Sequence, residues 1–352
     1  MEGTAERPTR QEKEPATTEV TEVAPNVLRT QLPIQLPGLG HVNCYLLEDS
    51  KGVAVVDPGL PGPGSWRALV DRLKRAGYKP RHVHTVIVTH SHPDHFGGAG
   101  ILRDRYGAEV IGHRRFRTWF DPSEDDTEVD EDGEPVGGAE PWGRPAPWRD
   151  DAVAGPPRSH RWRYRVAGTL MRRFVRTPRP TRRVDDAEII ALAGREWVSL
   201  HTPGHTEDHL CLFDPAEGVV LSGDHVLPTI TPHISGLAAG ADPLSEFFRS
   251  LDKVAALEGV RQVLPAHGHP FTDLAGRAAS IRDHHEERLQ QLRDHTAELG
   301  TATVEELSRR LFRRRSWGQM AESETYAHLE HLRLAGEVEA RRERGALRYR
   351  LT

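Results

Sequence analysis

His90, His92, Asp94 and His95 fall within six residues, in the run HSHPDH. Imidazole nitrogens and a carboxylate packed this densely are the donor set that a borderline divalent ion takes. Alternate residues of such a loop project to different sides, so the cluster can serve two ions, His90 and His92 facing one, Asp94 and His95 its neighbour. Four donors do not close two sites, and the chain supplies more in order: His205 after TPG, Asp224 after LSG and His267 after LPA. Asp224 is the only acid of these three, and one carboxylate can bridge two ions, an oxygen to each. Two ions roughly 3.5–4 Å apart lower the pKa of a water between them toward neutrality and present hydroxide to an electrophilic carbon or phosphorus, with no separate general base. The nucleophile is then water, and Asp94 is placed to orient it or to pass its proton to the leaving group. A structural zinc site fits less well, because such sites usually use cysteines and both Cys44 and Cys211 lie away from the cluster.

Donors so far apart in sequence must be brought to one place, and each stands at the exit of an apolar run. VHTVIVTH ends in the HSHPDH loop; WVSLH, LCLFD, VVLSGD and VLPAH carry or precede the others. VNCYLLED and VAVVD, joined at Ser50-Lys51-Gly52, read as a hairpin. WRALVDRLKRAG has helical spacing and a glycine stop, ILRDRYG reads as a second helix and AEVIGH as a strand. Strand alternating with helix argues α/β, with the histidines at the carboxyl ends of buried strands. His209 in HTEDHL and His225 after Asp224 are close enough in sequence to line the site. An imidazole there could donate to an oxyanion or protonate a leaving group, or it could simply hold the loops by hydrogen bonding.

THSHPDHFGG followed in order by TPGHT, SGDH and PAHG resembles the metallo-β-lactamase superfamily, over about Val27 to Pro270. That resemblance implies a four-layer αββα sandwich with metals at one edge of the sheets. It places His90, His92 and His205 on a first ion, Asp94, His95 and His267 on a second, and Asp224 between them. Asp57, ending the VAVVD strand, matches an acid that supports the metal loop by orienting ligand histidines; otherwise it is a turn-forming residue before Pro58.

At 352 residues the chain is long enough for a large core and a smaller second unit. Three parts are expected: a disordered leader, 1–21; a catalytic domain, 22–274, interrupted by an insertion at about 120–185; and a C-terminal unit, 275–352. The insertion combines an acidic tract with an arginine-rich segment and reads as a solvated loop with one helix, or as a lid over the site. Helix, helix, helix and a hairpin at Gly345 resemble the winged-helix tail appended to some hydrolases of the same superfamily. Its third helix, SETYAHLEHLRL, carries acids and apolar residues rather than base-reaching groups, which favours a packing, homodimer or substrate-cap role over nucleic-acid binding.

A net charge of −5 gives no global basis for binding nucleic acid or an anionic membrane. Charged residues make up 28% and no apolar run approaches the roughly 18–20 residues of a membrane span, so a soluble protein is expected. Two cysteines in apolar runs suit a reducing compartment, hence the cytoplasm. The expected activity is hydrolysis of a small ester, thioester, lactone or amide by two divalent ions, Zn2+ first, with Mn2+ or Fe2+ suited to the same donors. Phosphodiester hydrolysis, as in an endoribonuclease-like relative, is an alternative that the arginine-rich insertion favours. Another is sulfur dioxygenation at a single iron held by His90, His92, His205 and Asp224. The filled second set argues for two ions, the intact His92 against a flavodiiron-type centre, and all seven filled positions against a binding protein that has lost the chemistry.

Overall fold

The computed structural model of the protein describes residues 10–36, 38–118, 146–150, 176, 178–237 and 240–352. Strands β1 (Val20–Ala24), β2 (Val27–Leu36), β3 (Leu39–Asp49), β4 (Gly52–Val56), β5 (Val83–Ile87), β6 (Glu109–His113) and β7 (Arg182–Val184) form one sheet in sequence order. Strands β8 (Ile189–Leu192), β9 (Arg195–His201), β10 (Leu210–Asp214), β11 (Val219–Gly223) and β12 (Gln262–Pro265) form a second, ordered β12-β11-β10-β9-β8.

The apolar runs are continuous because both faces of these strands are covered. Successive side chains point to opposite faces. In β3, Tyr45 and Leu47 join the cluster between the sheets, while Cys44 and Leu46 pack on the helical side. In β10, Leu210 and Leu212 turn inward, and Cys211 and Phe213 turn outward. Helices α1 (Pro63–Arg75) and α3 (Ala99–Tyr106) cover the first sheet through Leu69, Leu73 and Leu102; α2 is the short Pro93–Phe96. Helix α4 (Pro243–Ala255), capped by Asp242 accepting from Ser245 N at 2.9 Å, covers the second through Leu244, Phe247 and Leu251. Helix, sheet, sheet, helix is the expected four-layer αββα sandwich. The two cysteines are free and buried on the outer faces of different sheets, packed as small apolar side chains.

Beyond the sandwich come α5 (Leu274–Leu299), β13 (Ala302–Thr303), α6 (Val304–Leu311), α7 (Gln319–Leu334) and the hairpin β14 (Val338–Glu343) to β15 (Ala346–Leu351), with a three-stranded sheet ordered β13-β15-β14. One apolar cluster runs without a break from Phe213 and Val263 through Phe247, Ile281 and Leu289 to Leu329 and Tyr349. The C-terminal elements therefore share a core with the second sheet.

A leader disordered from Met1 to Thr21 is corrected from Arg10 onward. Gln11–Lys13 forms a 3-10 turn and Val20 starts β1. Glu12 is fully buried because its carboxylate accepts from the backbone of Thr229 and Ile230, so its charge meets donors that would otherwise be unpaired. Most of the insertion expected at about 120–185, and with it any lid, lies outside the described residues. Its described part at 146–150 lies on the C-terminal hairpin and on α7: Asp150 N donates to Gly345 O, and Trp148 Nε1 donates to Glu322 Oε2 of α7. No helix among the described residues is long and apolar enough to cross a membrane.

His285 of α5 and His328 of α7 are both fully buried and 3.0 Å apart, Nδ1 to Nε2. Burial draws their pKa values down, to about 2 and about 4. An unfolded chain protonates both near pH 6.5, while the folded protein keeps them neutral. Their contribution to stability is therefore whole above pH 6.5 and lost as pH falls below it, at up to about 1.4 kcal/mol per group per pH unit. Urea unfolding at pH 7.5, 6 and 5 is expected to show midpoints moving steadily lower, and equal midpoints at all three would contradict neutral burial of the pair.

Candidate metal centre

Buried strand β5 releases its chain into the HSHPDH loop, where Pro93 starts the short α2 that carries Asp94 and His95. His205 follows β9, Asp224 follows β11 and His267 follows β12, so one sheet edge collects all seven residues. His90, His92, His205 and Asp224 each offer a donor atom within 4.8 Å of the others, and so, in a second group, do Asp94, His95 and His267. Asp224 stands between the two. Its Oδ2 lies 3.9 Å from His90 Nε2, 3.7 Å from His205 Nε2 and 3.6 Å from His95 Nε2, and its Oδ1 lies 3.3 Å from His267 Nε2. Oδ2 of Asp94 is 3.6 Å from His95 Nε2 and 3.5 Å from His267 Nε2.

The groups behind these residues fix which nitrogen carries a proton. Asp57 accepts from Thr89 N at 2.9 Å and from Thr89 Oγ1 at 2.8 Å. Having donated its hydrogen, Thr89 Oγ1 accepts from His90 Nδ1 at 3.0 Å, which leaves His90 Nε2 bare. His95 Nδ1 donates to Asp57 Oδ2 at 2.8 Å, His205 Nδ1 to His233 O at 2.7 Å and His267 Nδ1 to His41 O at 2.7 Å. In all four rings Nε2 is the free lone pair, as a ligand requires. His92 Nδ1 sits 3.0 Å from His90 Nε2 and 3.1 Å from His205 Nε2, and one proton there can satisfy only one of them. The buried atoms His95 Nε2, His267 Nε2 and Asp224 Oδ1 have no hydrogen-bond partner among the described residues. Converging nitrogens and carboxylate oxygens, with one shared proton at His92 as the donor among them, are a set that divalent cations fit.

The electrostatics split along the same line. Burial pulls His90, His92 and His205 below the ordinary imidazole range and keeps them neutral. Burial also opposes charge on His95 and His267, but carboxylates outweigh it and raise both: Asp94, Asp57 and Asp224 for His95, Asp224 and Asp94 for His267. Against its own burial, Asp224 is held well below the usual carboxylate range by His267 and His95. The second group is thus an anionic nest that takes protons or a cation.

Two local backbone features set this up. Asp57 has φ +54°, a left-handed conformation that an aspartate tolerates better than most residues, and it aims the carboxylate at both Thr89 and His95. Gly223, at φ +51°, precedes Asp224, and a Cβ there would lie 2.6 Å from His209 Nε2. Only glycine lets β11 end against that imidazole.

Of the two roles open to His209 and His225, the structure shows contacts of the structural kind. His209 accepts from Asp224 N at 3.0 Å through Nε2 and pairs with Thr202 Oγ1 at 2.7 Å through Nδ1, so both nitrogens hold the loop. His225 is fully buried and packs edge-on against Phe247 at 5.0 Å. Sequence reading missed His41 and His233, which act through backbone carbonyls and so leave no side-chain signature. It also missed Asp208, which accepts from Ser91 Oγ at 3.1 Å and whose carboxyl burial pushes up to about 7.

The metallo-beta-lactamase superfamily model matches residues 37–267, and the chain belongs to that superfamily of metal-dependent hydrolases. Over 94% of its length it aligns with all of a metallo-beta-lactamase family protein from Thermus thermophilus, at 30% identity and a TM-score of 0.73. It is 26% identical to the probable metallo-hydrolase YqjP of Bacillus subtilis over 275 residues, 72% of this chain and 76% of that one. Shorter stretches match an atrochrysone carboxyl ACP thioesterase of Aspergillus chevalieri, 29% over 129 residues, and the exodeoxyribonuclease WalJ of Streptococcus pneumoniae, 32% over 77 residues. Those stretches span 35% and 22% of this chain, and 39% and 26% of the two relatives.

Proposed function

We propose that the protein is a binuclear metallohydrolase acting on an ester, thioester, lactone or amide. The observation that carries this reading is the pair of donor groups sharing Asp224, with four of the five imidazoles held in the tautomer that frees Nε2. His90, His92 and His205 would hold one ion, Asp94, His95 and His267 the other, and Asp224 both. When bound, such ions supply Lewis-acid polarisation of the scissile carbonyl and a water acidic enough to attack at neutral pH.

The chain's own part is positioning and proton handling. Asp57 fixes His95 directly and His90 through Thr89, so both rings keep their direction when the site is loaded. One oxygen of Asp94 faces His95 and His267; the other is the atom that takes the attacking water's proton and returns it to the departing oxygen, sulfur or nitrogen. His209 carries no proton to this exchange, since both its nitrogens are engaged.

The carbonyl class draws support from the partial match to a thioesterase. The match to an exodeoxyribonuclease keeps phosphodiester cleavage as the second reading. Elemental analysis of purified protein is expected to give about two divalent ions per chain, followed by turnover of chromogenic thioesters or esters and none of a bis-phosphodiester. Turnover of the phosphodiester alone would select the second reading. One iron per chain would select an oxidative reaction, and protein that takes up no metal would end both hydrolase readings.

A further inference from the structure

Loop 227–237 leaves the metal edge after β11 and runs beneath the C-terminal helices. It is tied at its start by Arg277 of α5, which donates to Leu227 O at 2.6 Å and Ile230 O at 2.7 Å. Its middle is tied by α7. Glu324 Oε2 accepts from His233 Nδ1 at 3.1 Å, and Ser323 Oγ accepts from Gly236 N at 3.0 Å. The loop lies so close to α7 that a Cβ on Gly236 would stand 2.6 Å from Ser323 O. His233 O is the acceptor that orients His205. An unbroken path therefore runs from Glu324 through His233 to His205.

Glu324 also belongs to a group with His285 and His328 whose donor atoms lie within 4.8 Å of one another. That group does not need a metal. His328 Nδ1 donates to Glu324 O at 2.7 Å, so its Nε2 accepts from His285 Nδ1. Arg288 Nε stands 3.6 Å from Glu324 Oε1, a fixed positive charge where a cation would go. Burial alone would raise the Glu324 carboxyl, but His233 and Arg288 hold it down to about 2, so it is a carboxylate throughout the working pH range. Its interaction is committed to the loop.

We propose that α7 is a brace for the metal centre, with Glu324 a positioning residue that acts through the backbone of His233 on His205. The proposal rests on the two-ion reading above and extends it: the C-terminal unit does not merely pack beside the catalytic sandwich, it sets the direction of one ligand. Loss of a partner behind a ligand histidine weakens metal binding by about 10- to 100-fold. Only the ion held with His205 should feel it.

Zn2+ titration against a chromophoric chelator resolves the two binding steps. Glu324→Ala is expected to weaken one step by about 10- to 100-fold and leave the other within about twofold. Glu324→Gln, whose amide oxygen still accepts from His233, should recover part of the loss. His233→Ala keeps the carbonyl but cuts the link from the loop side, and tests the same path should Glu324→Ala fail to fold. It should lose as much as Glu324→Ala, and the double variant no more than either. Native protein binding two ions beside folded variants that bind them as tightly, or that lose both steps equally, would overturn the brace. So would additive losses in the double variant. Native protein that binds no ion would instead fail the metal-centre reading, and the brace with it.

Discussion

Asp224→Ala is expected to empty both ion sites and to lower kcat/KM by more than about 10^3-fold, because the loss is of the whole metal-assisted attack and a single transition-state donor alone is worth about 10^2–10^3. Among the described residues, Asp224 is the one whose two oxygens face both groups: Oδ2 toward His90, His205 and His95, Oδ1 toward His267. Its removal leaves three imidazoles on one side and a lone carboxylate with two imidazoles on the other. It also removes the carboxylate that stands 3.3 Å from His267 Nε2, and with it the negative charge that would draw a cation to that side. Ala at 224 keeps the backbone N–H that donates to His209, so the fold should survive and the comparison is clean. Metal per chain and kcat/KM measured on the same preparation decide the matter; a variant with two ions and native turnover would refute the shared-carboxylate reading.

The sequence made the donors legible because their spacing is local and their strands are apolar on both faces. HSHPDH is a cluster before any folding is considered, and the motifs ending at His205, Asp224 and His267 each close an apolar run. What lay behind them was legible only in part. Asp57 ends its own strand and came with the family resemblance, whereas the carbonyls of His41 and His233 belong to every residue alike and no side-chain pattern marks them. Residues 10–19 looked solvated because they are polar. They are held because Glu12, Gln11 and Glu14 meet the donors of the loops around Thr229 and His269, a complementarity that no periodicity encodes. Proximity in sequence does not say where His225 goes: it sits beside Asp224 in the turn after β11, yet it is buried in the core against Phe247.

Removing everything after Thr272 tests whether the tail is an appendage, and the expected outcome is a chain that does not fold. Helix α5 buries Leu274, Ala278, Ile281, Leu289 and Leu292 in the cluster that also holds Phe247, Phe248 and Leu251 of α4 and Phe213 and Val263 of the second sheet. Fully burying one leucine or isoleucine stabilises by about 1.5–3 kcal/mol, and four such residues on α5 alone come to about 6–12 kcal/mol. That matches the whole stability of an ordinary domain, about 5–15 kcal/mol. The cut would also uncover α4, whose Ser250 Oγ donates to Pro203 O two residues before His205, and would release loop 227–237 from Arg277, Ser323 and Glu324. Circular dichroism and a urea transition on the truncated chain are the measurements. A cooperative transition within about 2 kcal/mol of the native protein's would mean that the sandwich is complete without its tail. Ion binding by such a chain at native affinity would then place the C-terminal unit outside the metal centre altogether.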